Sequence, residues 1–449
     1  MTDTLHAWTS RGWVRPGAAA VLTGVLLLTA PGNVARRFGL PQAGIGRLVA
    51  YEPMAEACMM PAEEQRAARR EAVLGTPAGQ LRRSIKDPFP SFAAVAVDAA
   101  RNEVVFTDES LFQVLVYDRL ENAPGGVSKP KRVISGERTG LEFQSGVYVD
   151  EATGEIITAN NDTRDKTLVF APGASGDVEP VRQMETPHGT FGIVEPQGHA
   201  EVLLTTQHDS AVVTFRKMAN GEESPIRMLQ GNATRLADPH GIAYDPKDDV
   251  VFISNFGSGH DVSNKGTPRV GVPSAGNGEG KQNWPLGREW AIAGSGQIGA
   301  PSITVHRRDA SGNTAPLREI RGPLTQFDWP TGLAFDPVQR ELYVANDMGP
   351  SILVFDAMAK GNVAPKRVIK GPKTGLANPT AVAVDVKNRE LWVANFGGHS
   401  GTAYDLTAAG DVAPKRTIRN APPDTPSLMI GNPGAVAYDS KRENILVPN

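Results

Sequence analysis

A unit of about fifty residues recurs along this chain of 449, and no other feature restricts its fold as much. Residues 330–371 read PTGLAFDPVQRELYVANDMGPSILVFDAMAKGNVAPKRVIKG, and residues from 379 onward read PTAVAVDVKNRELWVANFGGHSGTAYDLTAAGDVAPKRTIRN. Each unit holds four short runs: an apolar one ending in Asp, a second ending in Asn, an alternating third, and a fourth that opens with Pro. Runs of this length, rich in Val, Ile and Tyr and bounded by Gly, Pro and Asp, are strands. The Asp recurs at 98, 150, 245, 336, 385 and 439, with Glu195 in the third unit. The second run ends at Asp108, Asn160, Thr206, Asn255, Asn346, Asn395 and Asn449. Proline cannot donate to a strand ladder, so Pro130, Pro180, Pro225, Pro316, Pro365 and Pro414 place the fourth run at a sheet edge.

Four-stranded units of this period pack radially around a channel. The fold predicted is all-β, a seven-bladed β-propeller with four-stranded antiparallel blades, occupying residues 36–449. Six units are complete. The last, PGAVAYDSKRENILVPN, has only its first two strands, and RLVAYE (47–52) and QLRRSIK (80–86) match its missing third and fourth. Closing the last blade with strands from both termini would leave no open sheet edge. Two insertions depart from the repeat. Residues 54–79 include PAEEQRAARREAVLG, with Pro at a helix start and Gly as a stop, which predicts a short helix. Residues 257–300, in the fourth unit, form a Gly-rich loop carrying Trp284 and Trp290.

The YVAN, WVAN and PxGxAxD pieces resemble the YVTN and NHL-type repeats of bacterial seven-bladed propellers, over roughly residues 44–449. That resemblance implies the fold. Propellers of this kind include surface proteins, binding scaffolds and enzymes such as streptogramin lyases and gluconolactonases, so it implies no single activity.

Arg11 and Arg15 precede the apolar run Gly17–Ala30, which is followed by Pro31, Gly32 and Asn33. This is the pattern of a secretory signal, with residues 1–35 removed by cleavage near Ala35, or of an uncleaved N-terminal membrane anchor. The expected location is periplasmic or extracellular, with membrane contact only through residues 17–30 if they are retained. The single cysteine, Cys58, excludes an internal disulfide and any cysteine-based zinc site. A net charge of -3 excludes a nucleic-acid-binding surface of the usual basic kind.

The loop before the first strand and the loop between the second and third lie on one face of a propeller, around the channel mouth. Five of the eight histidines map there: His188, His208, His240, His260 and His399. Asn255, Asn346 and Asn395 join them, and Trp284 and Trp290 lie in the long loop of that face. These ten residues are the candidate ligand-binding set. Imidazole suits a transition metal and Asn or Asp oxygens suit calcium, so a divalent metal held by His188 and His240 is the candidate cofactor. The competing reading gives the strand-end Asn residues a turn-capping role. No GxSxG, HExxH or phosphate-binding Gly loop is present, so catalysis would need a top-face histidine as general base, His188 or His240 first. The sequence therefore predicts an exported, non-catalytic propeller that binds a protein, glycan or small ligand through this face and the 257–300 loop, within an envelope complex. The alternative is a metal-dependent lyase or lactonase using the same histidines.

Overall fold

The structure, a computed structural model, describes residues 88–161, 164–207, 209–257, 299–425 and 427, and two strands at 437–439 and 444–446. The signal segment 1–35, strands 47–52 and 80–86, the helix within 54–79 and most of the 257–300 loop lie outside the described residues. No helix among the described residues is long and apolar enough to cross a membrane. The chain divides into two compact units, Met54–Ala435 with Pro448–Asn449, and Met1–Pro53 with Val436–Val447.

The first unit contains six antiparallel sheets of four strands each, in simple sequence order. Their first strands are Phe92–Asp98, Gln144–Val149, Thr190–Val194, Pro239–Asp245, Pro330–Asp336 and Pro379–Asp385. The second strands end at Asp108, Asn160, Thr206, Asn255, Asn346 and Asn395, as the repeat predicts. The outer strands begin at Arg132, Arg182, Arg227, Arg318, Arg367 and Arg416, each two residues past its proline. Within five blades that arginine reaches back across the third strand to the Glu that opens the second. The pairs are Arg132–Glu103, Arg182–Glu155, Arg227–Glu201, Arg367–Glu341 and Arg416–Glu390. A guanidinium and a carboxylate fit as two parallel hydrogen bonds, seen at 2.7 and 2.6 Å for Arg132 on Glu103. Blade 4 has Val250 in place of the Glu, and Arg318 donates instead to the Ala357 carbonyl at 2.6 Å.

Each blade is joined to the next by a hydroxyl donating to an inner-strand carbonyl. Thr107 reaches Gln144 O, Ser145 reaches Thr190 O, Thr205 reaches His240 O and Ser254 reaches Thr331 O. Thr331 then reaches Pro379 O, and Thr380 of blade 6 reaches Ala93 O of blade 1 at 2.7 Å. The circle is complete with six members. Gly241 shows how close the inner strands come, because a Cβ there would overlap the Thr331 carbonyl of the next blade.

Among the described residues six blades close the circle, one fewer than the sequence predicts, and strands 47–52 and 80–86, which would complete a seventh, lie outside them. Where the sequence predicts a shared blade between the sixth and the first, the structure puts the sixth directly against the first. Phe92 and Phe106 stack with centroids 4.1 Å apart and share a buried cluster with Tyr117 of blade 1 and Trp392 of blade 6. Arg119 of blade 1 meets Glu390 of blade 6 at 2.7 Å. Full burial of each such ring stabilises by about 1.5–3 kcal/mol, so the joint resembles the other five in kind and in strength. At the outer rim, five joints are single parallel bridges, such as Ile134 with Gly176. The sixth is made by Ala123 N donating to Thr417 O at 2.7 Å. The seventh repeat does form its predicted first hairpin, Ala437–Asp439 against Asn444–Leu446, and that hairpin belongs to the second unit.

Candidate functional site

The top face is formed by the segments entering the first strands and by the connections from second to third strands. In four blades the residue immediately before the first strand is a non-glycine in the left-handed region: Phe143 (φ 47), Asp238 (φ 57), Trp329 (φ 55) and Asn378 (φ 45). Side chains there are held in a sparsely populated conformation by their surroundings, as is common at binding surfaces.

The strand-end amides are consumed by the fold. Asn346 accepts from Asp328 N at 2.7 Å and donates to Gln326 O and Ser351 Oγ, both at 3.1 Å. Asn255 accepts from Ala237 N at 3.0 Å and donates to Ile253 O and Thr304 Oγ1. Asn395 accepts from Ala377 N at 3.2 Å and donates to Thr402 Oγ1 at 3.0 Å. Each amide bridges the entering loop to its own blade and is at most 2% exposed. The turn-capping reading describes them, with the cap made to a segment about eighteen residues earlier.

Of the five candidate histidines, the three within the described residues differ. His399 is fully buried at the joint of blades 6 and 1, where its Nδ1 donates to Pro90 O at 2.7 Å and its ring meets Phe89 edge-on. It latches the ring. His188 is buried beside Asp165, with Nδ1 3.0 Å from Oδ1. His240 has its Nδ1 3.1 Å from the Asp238 carbonyl and 3.6 Å from that residue's carboxylate. A carbonyl only accepts, so Nδ1 carries the hydrogen and Nε2 presents a lone pair. Among the described residues, Nε2 has no hydrogen-bond partner. Burial holds this imidazole below its usual pKa, against the opposing pull of Asp238, so the ring is neutral near pH 7. His208, His260, Trp284 and Trp290 lie outside the described residues.

A series of rings runs from the channel mouth to solvent across blades 3 to 5. Phe191 meets His240 edge-on, with centroids 4.1 Å apart. His240 lies flat on Phe256 at 3.5 Å and 13°. Phe256 in turn packs on Trp329 at 4.9 Å and 36°. Trp329 is 48% exposed, so the series ends on an uncovered indole face. At the inner-strand position that His240 occupies, the other blades carry Ala93, Ser145, Phe191, Thr331 and Thr380. The mouth is therefore aromatic over blades 3 and 4, and small or hydroxylated elsewhere.

Beside Trp329 stand two carboxylates. Asp347 donates its backbone N–H to Trp329 O at 3.0 Å, and its Oδ1 accepts from Asn378 Nδ2 at 3.1 Å. Burial raises the Asp347 pKa, with a further contribution from Asp328, and the Asn378 hydrogen bond opposes it. Among the described residues, no group of three or more His, Cys, Asp or Glu side chains could hold a metal ion. The repeat pointed to His240, but not to Phe191, Phe256 or Trp329. Phe256 and Trp329 each sit one residue outside the repeating strand signals, whereas Phe191 lies within its first strand, at the position of His240. The usable signal was the substitution of large rings for the Thr and Ser of sister repeats.

The sequence model of a family described as "Lactonase, 7-bladed beta-propeller" matches residues 293–427, under a third of the chain. That stretch includes Trp329 and Asp347 but neither His188 nor His240. No curated protein matches the sequence significantly. Among similar solved structures is the hydrazine synthase of Kuenenia stuttgartiensis, 11% identical, with a TM-score of 0.44 over 72% of this chain and 79% of that one.

Proposed function

We propose that this chain is an exported β-propeller that binds a small planar ligand at the mouth of its channel, over blades 3 to 5. One observation carries the reading: the stack Phe191–His240–Phe256–Trp329 ends on an exposed indole held in the left-handed region. An aromatic wall with a few convergent polar groups is the usual make-up of a small-ligand site. The basic and apolar N-terminal pattern supports export. Calorimetric titration with a panel of flat heterocycles tests the reading. Binding that is lost on Trp329→Ala while the melting temperature holds is the expected result. Retained binding in that variant would move the site elsewhere.

A second reading, ring-opening of a lactone, draws on the family match and on the neutral His240 with its uncommitted Nε2. His240 would act as the general base that takes a proton from water. The matched residues stop short of His240, so the two supports are independent. Hydrolysis of a lactone panel that disappears in His240→Gln would favour this reading, and full activity in that variant would end it.

A further inference from the structure

Among the described residues, the mouth offers hydrogen-bond acceptors and few uncommitted donors. His240 is 97% buried by its 3% exposure, and its one uncommitted atom is Nε2, a lone pair once Nδ1–H is given to Asp238 O. Asp347 is joined to Trp329 through its N–H to the Trp329 carbonyl, Asp328 directly precedes Trp329 and acts on Asp347 electrostatically, and neither carboxylate forms an ion pair among the described residues. Among the described residues, no Lys or Arg contributes to the electrostatics of Asp347, whose side chain is hydrogen-bonded by the neutral Asn378. The carboxylates at the bottom of the blades are treated differently, since Glu103, Glu341 and Glu390 each hold both an Arg and a Lys.

We propose that the mouth selects planar ligands bearing positive charge or N–H and O–H donors, and rejects anionic ones. The inference rests on the planar-ligand reading and adds the ligand's charge and polarity. An indole face attracts a cation through its quadrupole, and more strongly when the cation is desolvated. A carboxylate without a counter-ion, in a half-buried position, gains most from a cationic partner because water screens it poorly. An anionic ligand would instead add a third negative charge beside Asp328 and Asp347 and meet a lone pair at His240.

Three probes of one shape test this by calorimetry: 1-methylquinolinium, neutral 1-naphthol and quinoline-2-carboxylate. The expected order is cation and phenol over carboxylate, with the cation at least tenfold tighter than the anion. Asp347→Asn should reduce the cation-to-anion ratio about tenfold and leave 1-naphthol unchanged. Should that variant fold poorly, the exposed Asp328→Asn gives the same readout with a smaller change. His240→Phe should weaken 1-naphthol more than the cation. Equal or tighter binding of the carboxylate, or an unchanged ratio in the Asp variants, overturns the proposal while leaving the aromatic site intact. Failure of all three probes on the wild-type chain removes the planar-ligand site and this proposal with it.

Discussion

At the bottom of the blades, Lys217 bridges Asp150 and Glu195, Arg308 spans Asp249 and Glu201, and Arg340 grips Asp245 and Asp248. Each of these cations ties one blade to its neighbour. At the top, the corresponding work is done by neutral amides, hydroxyls and rings. That face also carries the Arg164–Glu142 ion pair, but among the described residues Asp328 and Asp347 form none, and Trp329 is 48% exposed. The difference separates structure from function within one repeat. The bottom is saturated with internal partners, so it holds the blades. The top keeps unfilled bonding capacity, so it can recognise something else.

Removing Glu390 should give the largest loss. Its carboxylate meets Arg119 of the adjacent blade, Arg416 and Lys415, and Arg119 is only 8% exposed at its side chain. Glu390→Ala leaves the Arg416 guanidinium without its carboxylate and Arg119 with only Asp385 at 3.7 Å, at a cost of about 3–5 kcal/mol. Chemical denaturation at unchanged m-value measures it, and a loss under about 1 kcal/mol would show that the bottom network is ornamental.

Acid should act next. His306 is 1% exposed, and burial lowers its pKa to about 4 against an opposing backbone hydrogen bond at Thr234. In the unfolded chain a histidine titrates near pH 6.5, so between pH 6.5 and 4 the unfolded state binds the extra proton. Stability is then unaffected above pH 6.5 and falls by about 3 kcal/mol on the way down to pH 4. Glu341 adds to the fall at lower pH. Its pKa is lowered to about 2 by Arg367 and Lys366 against the opposing effect of burial, so its stabilisation is lost as pH drops from about 4.5 towards 2. His306→Leu should flatten the stability profile between pH 6.5 and 4 and leave the more acidic limb in place.

A top-face amide should matter less than Glu390. Asn346→Leu orphans Asp328 N–H and Gln326 O, each worth about 1–3 kcal/mol if left dry, although both lie near solvent. We expect about 1–2 kcal/mol of destabilisation and altered ligand binding, since the segment it holds carries Asp328 and Trp329. Smallest of all should be deletion of residues 430–449. The six blades already close on one another, so the melting temperature should move by only a few degrees. Collapse of the fold on that deletion would restore the seventh blade to the ring.

The repeat made the blades legible because every strand boundary carries a residue with a local duty, such as the Asp that caps the first turn. Asp245 accepting from Lys247 N at 3.0 Å and Asp336 from Val338 N at 2.8 Å are examples. The number of blades was not legible. A repeat signature in the last residues shows that a hairpin forms, whereas ring size depends on which inner strands touch. That is a contact between residues almost the whole chain apart. The candidate site was legible at His240, which replaces a Thr of the repeat, and illegible at Phe256 and Trp329, whose stacking depends on the angle between neighbouring blades. His399 showed the reverse error. Its position on the face was read correctly, but its ring is spent on the blade joint.

The circle of hydroxyl bonds has one member unlike the rest in time. Five of its links join residues 35 to 77 apart in sequence, while Thr380 to Ala93 spans 287. Closing that longer loop costs roughly 2 kcal/mol more entropy than closing one of the short links. The joint between blades 6 and 1 therefore forms last, after the others have assembled as an open arc. Once it has formed there is no loose end from which blades can peel. Opening one joint alone frees no blade, and the native ring should unfold slowly even where its equilibrium stability is modest.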